Sequence, residues 1–232
     1  MRTNRADGLE TRRRLLDTAA ALFAEKGYHD TKTADICRLA DANVAAVHYH
    51  FGSKEDLYAA AWRNEFERSI EAYPPDGGVA ESALAEDRLR GHILALVRRS
   101  MDPASRDLDI ANREISTPTG LLAEVVRTSM EPLRQIHLAI IRQLLGPRAT
   151  EQDVQLCEMS VHAQCLAALM HERQWRFAAS KDRRMGPPRL DIDADALADH
   201  ISRFSLAGLR EVRRSAELTH RNTRVKPIRG TP

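Results

Sequence analysis

Between Asn43 and Lys54 the chain sets two small residues, Ala45 and Ala46, beside a run of hydrogen-bonding side chains: His48, Tyr49, His50 and Lys54. On the exposed face of a helix, alanines let the backbone approach base edges and offer a methyl to a thymine methyl. Imidazole, phenol and ammonium groups can donate to phosphates. Thr33, at the start of a preceding short helix, adds a hydroxyl and backbone N–H groups directed at another phosphate. The chemistry implied is recognition of double-stranded DNA.

Other reactive side chains do not assemble into a comparable pattern. Ser129, His162 and several acids lack a GxSxG elbow, a phosphate-cradling glycine loop or paired carboxylates, so no catalytic residue and no enzyme activity is expected. His48 and His50 have no third ligand at metal spacing, and neither a metal nor a cofactor is expected. Cys37, Cys157 and Cys165 form no CxxC pair and read as buried thiols in a reducing compartment. Cys157 and Cys165, eight apart on one helical face, fit core packing better than redox sensing. The polar N-terminus and the lack of a long apolar run predict a cytoplasmic protein without a membrane partner.

The net charge is +2 over 232 residues. Up to Lys54 there are nine Lys/Arg against seven Asp/Glu, so charge by itself argues weakly for a nucleic-acid partner. From Arg213 onward six basic residues stand against one acid, and residues 214–232 read as a solvated, disordered basic tail.

The elements that must position these groups are helices, since 3.6-residue apolar spacing recurs and strand-like alternation does not. Leu15, Leu16, Ala19, Leu22 and Phe23 mark one face of a helix over 9–26, stopped by Gly27. A short helix from Thr33 carries Ile36, Leu39 and Ala40 inward. Asn43 caps a third, with Val47 and Phe51 facing the core and Val44, Ala45, His48 and Tyr49 facing out. Ser53 caps a fourth helix running to about Ala72. Further helices are expected over 81–100, 105–115, 119–145 (kinked at Pro132), 151–172 and 193–213. The fold class is all-α. Residues 1–53 form a three-helix helix-turn-helix domain, and residues 54–213 a larger helical domain for ligand binding and dimerisation.

Residues 23–28 (Phe-Ala-Glu-Lys-Gly-Tyr), 33–36 (Thr-Ala-Asp-Ile) and 47–57 (Val-His-Tyr-His-Phe-Gly-Ser-Lys-Glu-Asp-Leu) resemble the DNA-binding domain of TetR-family transcriptional regulators. The resemblance implies that Thr33, Ala45, Ala46, His48, Tyr49, His50 and Lys54 face DNA. One departure is Asp41 in the turn, where the family commonly has glycine. Asp tolerates a left-handed backbone better than most residues, so the turn can survive. The run 112–119 (Asn-Arg-Glu-Ile-Ser-Thr-Pro-Thr), Glu131-Pro132-Leu133, Gln164-Cys165-Leu166 and residues 204–209 are similar to the CecR-like branch, as is 43–46 (Asn-Val-Ala-Ala). That branch implies a dimer controlling genes of toxic-compound tolerance or export.

One short helix makes too few base contacts for specificity, so a homodimer on a pseudo-palindromic operator is expected, its recognition helices roughly 34 Å or more apart. Val161, Leu166 and Leu169 on one late helix, with Leu197, Ile201, Phe204 and Leu209 on the next, are the candidate dimer surface. Trp62, Phe66, His92, Asn112, Arg113, Glu114, His137 and Trp175 are the candidate lining of a site for a small-molecule inducer. The expected function is a repressor that the inducer releases from DNA, with the fourth helix as lever. Activation, or ligand-independent DNA binding, is the alternative.

Overall fold

In the computed structural model, which describes residues 2–180 and 192–224, every regular element among the described residues is an α-helix. They are α1 (Arg2–Asp30), α2 (Thr33–Leu39), α3 (Val44–Phe51), α4 (Lys54–Ala72), α5 (Ala85–Met101), α6 (Arg106–Ser116), α7 (Ala123–Leu145), α8 (Glu151–Ser180) and α9 (Ala194–Arg224). The chain folds as two compact units. The first takes Met1–Ala72 with Asp102–Pro132, and the second Tyr73–Met101 with Leu133–Pro232. This division differs from a linear cut after residue 53: α4 and α6 pack with α1 in the first unit, and the division falls at Pro132 inside α7.

In the first unit, Leu15, Leu16, Ala19, Ala20, Leu22 and Phe23 are all buried along α1. Full burial stabilises a Leu or Phe side chain by about 1.5–3 kcal/mol. Phe23 meets Tyr58 of α4 edge-on, with ring centroids 4.7 Å apart. Gly27, at φ 80° and ψ 176°, breaks the helix at the expected place, and the chain resumes a short turn to Asp30. In α2, Ile36, Cys37 and Ala40 take the inner face. Leu39 was expected to point inward but is 55% exposed. Its position lies roughly 100° around the helix from the centre of that buried face.

The second unit has its core among Leu89, Ile93 and Val97 of α5, Leu138, Ile141 and Leu145 of α7, Val161 and Cys165 of α8, and Ile201, Leu206 and Leu209 of α9. Of the expected dimer surface, Val161, Ile201 and Leu209 are buried in the chain's own core, and Leu197 is half-buried against it. Leu166 and Leu169 are half-buried, and Phe204 stands 65% exposed.

Residues 214–224, expected as disordered tail, continue α9. Ion pairs of Arg213 with Glu217 (3.2 Å) and Arg214 with Glu211 (2.8 Å), at helical i,i+4 and i,i+3 spacing, support that extension. The rest of the expected tail, 225–232, lies outside the described residues.

Candidate nucleic-acid interface

The helix-turn-helix is built from local hydrogen bonds. Ala40 N–H donates to Ile36 O, and Ala42 N–H to Cys37 O, both at 2.9 Å, closing α2. Asp41 then adopts φ 48°, the left-handed conformation that the turn requires and that Asp accepts more readily than most residues. Its carboxylate is near the Arg14 guanidinium, at 3.8 Å. Asn43 caps α3 as expected, its side-chain oxygen accepting from Ala46 N–H at 2.9 Å. At the far end Ser53 accepts from Asp56 N–H at 3.1 Å and donates to the Asp56 carboxylate at 2.7 Å, opening α4.

On α3, Val47 is buried and Phe51 half-buried, with the Arg12 guanidinium 5.2 Å from the Phe51 ring centroid. Val44, Ala45, His48 and Tyr49 form the outward face, Tyr49 being 84% exposed. Asn43 is exposed beside them, while Ala46, His50 and Thr33 are half-buried. His50 lies against Tyr49, ring centroids 4.9 Å apart.

Two expected phosphate donors have partners that the sequence did not reveal. His48 Nδ1 lies 2.7 Å from Gly52 O, and Gly52 N–H returns a bond to His48 O at 3.0 Å. Lys54 is half-buried: its ammonium donates to Tyr28 O at 2.7 Å and sits 4.1 Å from the Tyr28 ring centroid. Burial lowers the Lys54 pKa. Tyr28 in turn donates to Glu55 at 2.6 Å; burial first, then that carboxylate, push its phenol up to about 12. The start of α4 is thereby fastened to the end of α1, and Lys54 contributes as an anchor, with two N–H groups left over. Arg12 and Arg14, which α1 places beside α3 and the turn, also belong to this face; the Arg12-Arg13-Arg14 run is their signal in the sequence.

The residues expected to share one ligand pocket fall in both compact units. In the first unit, Trp62 stacks on Phe66 at 5.1 Å and donates to Asp107 O at 3.1 Å. Arg113 donates to Ala24 O at 2.7 Å and also to Glu25 O, clamping α6 onto the carbonyls that end the main run of α1. Glu114 accepts from Tyr58 at 3.2 Å and from the Thr119 and Gly120 backbone N–H groups at 2.9 and 2.8 Å. Arg113 and Glu114 are therefore committed to holding the unit together, and Asn112 is half-buried on the same helix.

In the second unit, His92 and His137 are buried and stacked, centroids 4.2 Å apart. His92 Nδ1 is 3.1 Å from Pro75 O, and His137 Nδ1 is 3.9 Å from Glu158. His137 Nε2 is buried without a hydrogen-bond partner among the described residues. Burial lowers the His92 pKa to about 4 and strongly lowers that of His137. The Trp175 side chain lies outside the described residues.

Among the described residues no group of three His, Cys, Asp or Glu side chains is placed to hold a metal ion, and no helix is long and apolar enough to cross a membrane. Cys37 and Cys165 are buried and Cys157 half-buried. Burial pushes the Cys165 thiol up to about 12, the opposite of a reactive thiolate.

Comparison with known proteins adds a second kind of observation. Residues 85–209, just over half the chain, match the family described as the C-terminal domain of the HTH-type transcriptional dual regulator CecR. Residues 15–61 match the tetR family of bacterial regulatory proteins. The chain is 32% identical over 147 residues to the HTH-type transcriptional dual regulator CecR of Shigella flexneri, covering 60% of each. It is 30% identical over 105 residues to the HTH-type transcriptional regulator AcrR of the same organism, covering 38% of this chain and 49% of that protein. A TetR-like transcriptional regulator from Rhodococcus sp. RHA1 superposes with a TM-score of 0.63 at 20% identity, over 86% of this chain and 96% of that one. AibR, solved in complex with isovaleryl coenzyme A and operator DNA, superposes with a TM-score of 0.64 at 18% identity, over 84% and 97%. At those identities the two structures speak to the fold.

Proposed function

The chain belongs to the TetR family and carries the CecR C-terminal domain, and from that premise we propose that it is a DNA-binding repressor, released from a pseudo-palindromic operator when a small molecule binds its C-terminal part. The observation that carries this reading is the outer face of α3. Val44, Ala45, His48 and Tyr49 stand in solvent on a helix whose inner face, turn and caps are all satisfied. A short exposed helix with small residues and few competing partners is what the major groove admits.

In this reading residues 1–53 are the DNA-binding part, with Thr33, Asn43, Val44, Ala45, Ala46, His48, Tyr49 and His50 at the duplex and Lys54 bracing the start of α4. Residues 54–213 carry ligand binding and self-association, and the protein works in the cytoplasm as a homodimer. Leu166, Leu169 and Phe204, joined by exposed Leu156 and Met159, are among the apolar residues that a second copy would cover. The stacked His92 and His137 supply the polar groups for a ligand, since the unpartnered His137 Nε2 lacks a bond that such a molecule could provide. AibR, of similar fold, was solved with both a small molecule and operator DNA, which supports pairing the two partners here.

A ligand that prefers the DNA-incompetent state weakens DNA binding by the factor by which DNA weakens ligand binding, typically about 1–3 kcal/mol. The test is retardation of a selected duplex across a compound panel: release by at least one compound is expected, and binding indifferent to every compound that binds the protein would refute the inducer. A second reading, activation, is favoured by one observation, that the relative with 32% identity is named a dual regulator. A promoter fusion that loses expression on deletion of the gene would select it.

A further inference from the structure

Building on the assignment of α3 to DNA, we propose that His48 reads the exocyclic amino group of a base, preferably adenine, by accepting a hydrogen bond at Nε2. A carbonyl oxygen can only accept, so the 2.7 Å contact between His48 Nδ1 and Gly52 O requires the proton to sit on Nδ1. The carbonyl is held in place by the helix end itself: Gly52 N–H bonds back to His48 O at 3.0 Å, and Gly52 adopts φ 87°. In the neutral ring this leaves Nε2 as a bare lone pair on an exposed side chain.

Phosphate oxygens are themselves acceptors, and a bare Nε2 gains nothing from them. The donors on the major-groove edges of bases are adenine N6 and cytosine N4. The neighbours on the same face discriminate between the two. Val44 and Ala45, one turn earlier and exposed, are apolar, and an A·T pair presents a thymine methyl alongside the amino group while a C·G pair presents guanine acceptors. His48 therefore acts in specificity and leaves phosphate anchoring to other groups.

Duplexes selected from a random pool at fixed salt by the full chain, by His48→Phe and by His48→Gln test this directly. The native chain is expected to prefer adenine at one position of each half-site by roughly 5- to 10-fold, and His48→Phe to lose that preference while keeping the rest of the motif. His48→Gln, which retains an acceptor, is expected to keep it. Replacing that adenine by purine, which lacks the 6-amino group, should weaken the native chain by the same factor and leave His48→Phe unaffected. The matching arm removes the 4-amino group of cytosine, and an effect confined to that arm overturns the adenine preference. Two results overturn the proposal while leaving α3 on DNA: His48→Phe weakening all sequences equally with a salt slope reduced by about one, the mark of a phosphate contact, or His48→Phe selecting the native motif unchanged. Failure of the native chain to select any sequence overturns both the proposal and the assignment of α3.

Discussion

Histidines stand in opposite environments in the two compact units. On α3, His48 is exposed and tied through Nδ1 to the backbone carbonyl of Gly52. In the second unit His92 and His137 are buried face to face, and His137 Nε2 has no hydrogen-bond partner among the described residues. One imidazole keeps its contact with water. The other is carried at a cost of desolvation. Residue type sets the candidates, and environment sets what each imidazole can do.

Substitutions on the surface of α3 should act most strongly. Ala45→Glu adds a carboxylate to an exposed position and is expected to lower duplex affinity by roughly 100-fold or more, with the unfolding midpoint unchanged. Unchanged affinity in an anisotropy titration would move recognition to another face. Next in size is the clamp of α6 on α1. Arg113→Ala removes charged donors from the Ala24 and Glu25 carbonyls and should cost the first unit about 2 kcal/mol by urea unfolding, with Arg113→Lys restoring a fraction of it.

Acid sharpens the contrast between the imidazoles. The ordinary histidine value is 6.5, and burial lowers His92 to about 4. Between those values the unfolded chain takes up protons that the folded unit refuses. The stability that neutral His92 contributes is therefore full well above pH 6.5 and falls as pH drops toward 4, by about 3 kcal/mol from that residue, and the lowered His137 adds to the loss in the same direction. Calorimetry across that range checks it, and His137→Leu should flatten the loss. Smallest is the cap: Asn43→Ala should cost about 1 kcal/mol, measured as a lower unfolding midpoint.

Much of the first unit was legible in the sequence because its signals are local. Gly27 ends the main run of α1, Asn43 caps α3 and Ser53 caps α4, and each acts within three or four residues. Asp41 in a left-handed turn was likewise a local inference. What escaped depended on distant contacts. Nothing near Lys54 announces that its ammonium ends on Tyr28 O, 26 residues earlier in the chain. Arg113 stood as a ligand-site candidate on the strength of its family-like segment, which gives no partner for the side chain, and its guanidinium meets the backbone of α1. Periodicity located the apolar stripes of α8 and α9 but could not say which copy covers them, and Val161, Ile201 and Leu209 are covered by their own chain.

Equilibrium binding to a selected duplex across a salt series decides whether the outer face of α3 meets DNA in two symmetric copies. Two chains per duplex are expected, with a logarithmic affinity that falls linearly with logarithmic salt at a slope of roughly −5 or steeper. Absence of retardation at low ionic strength, or one chain bound per asymmetric site, would contradict it.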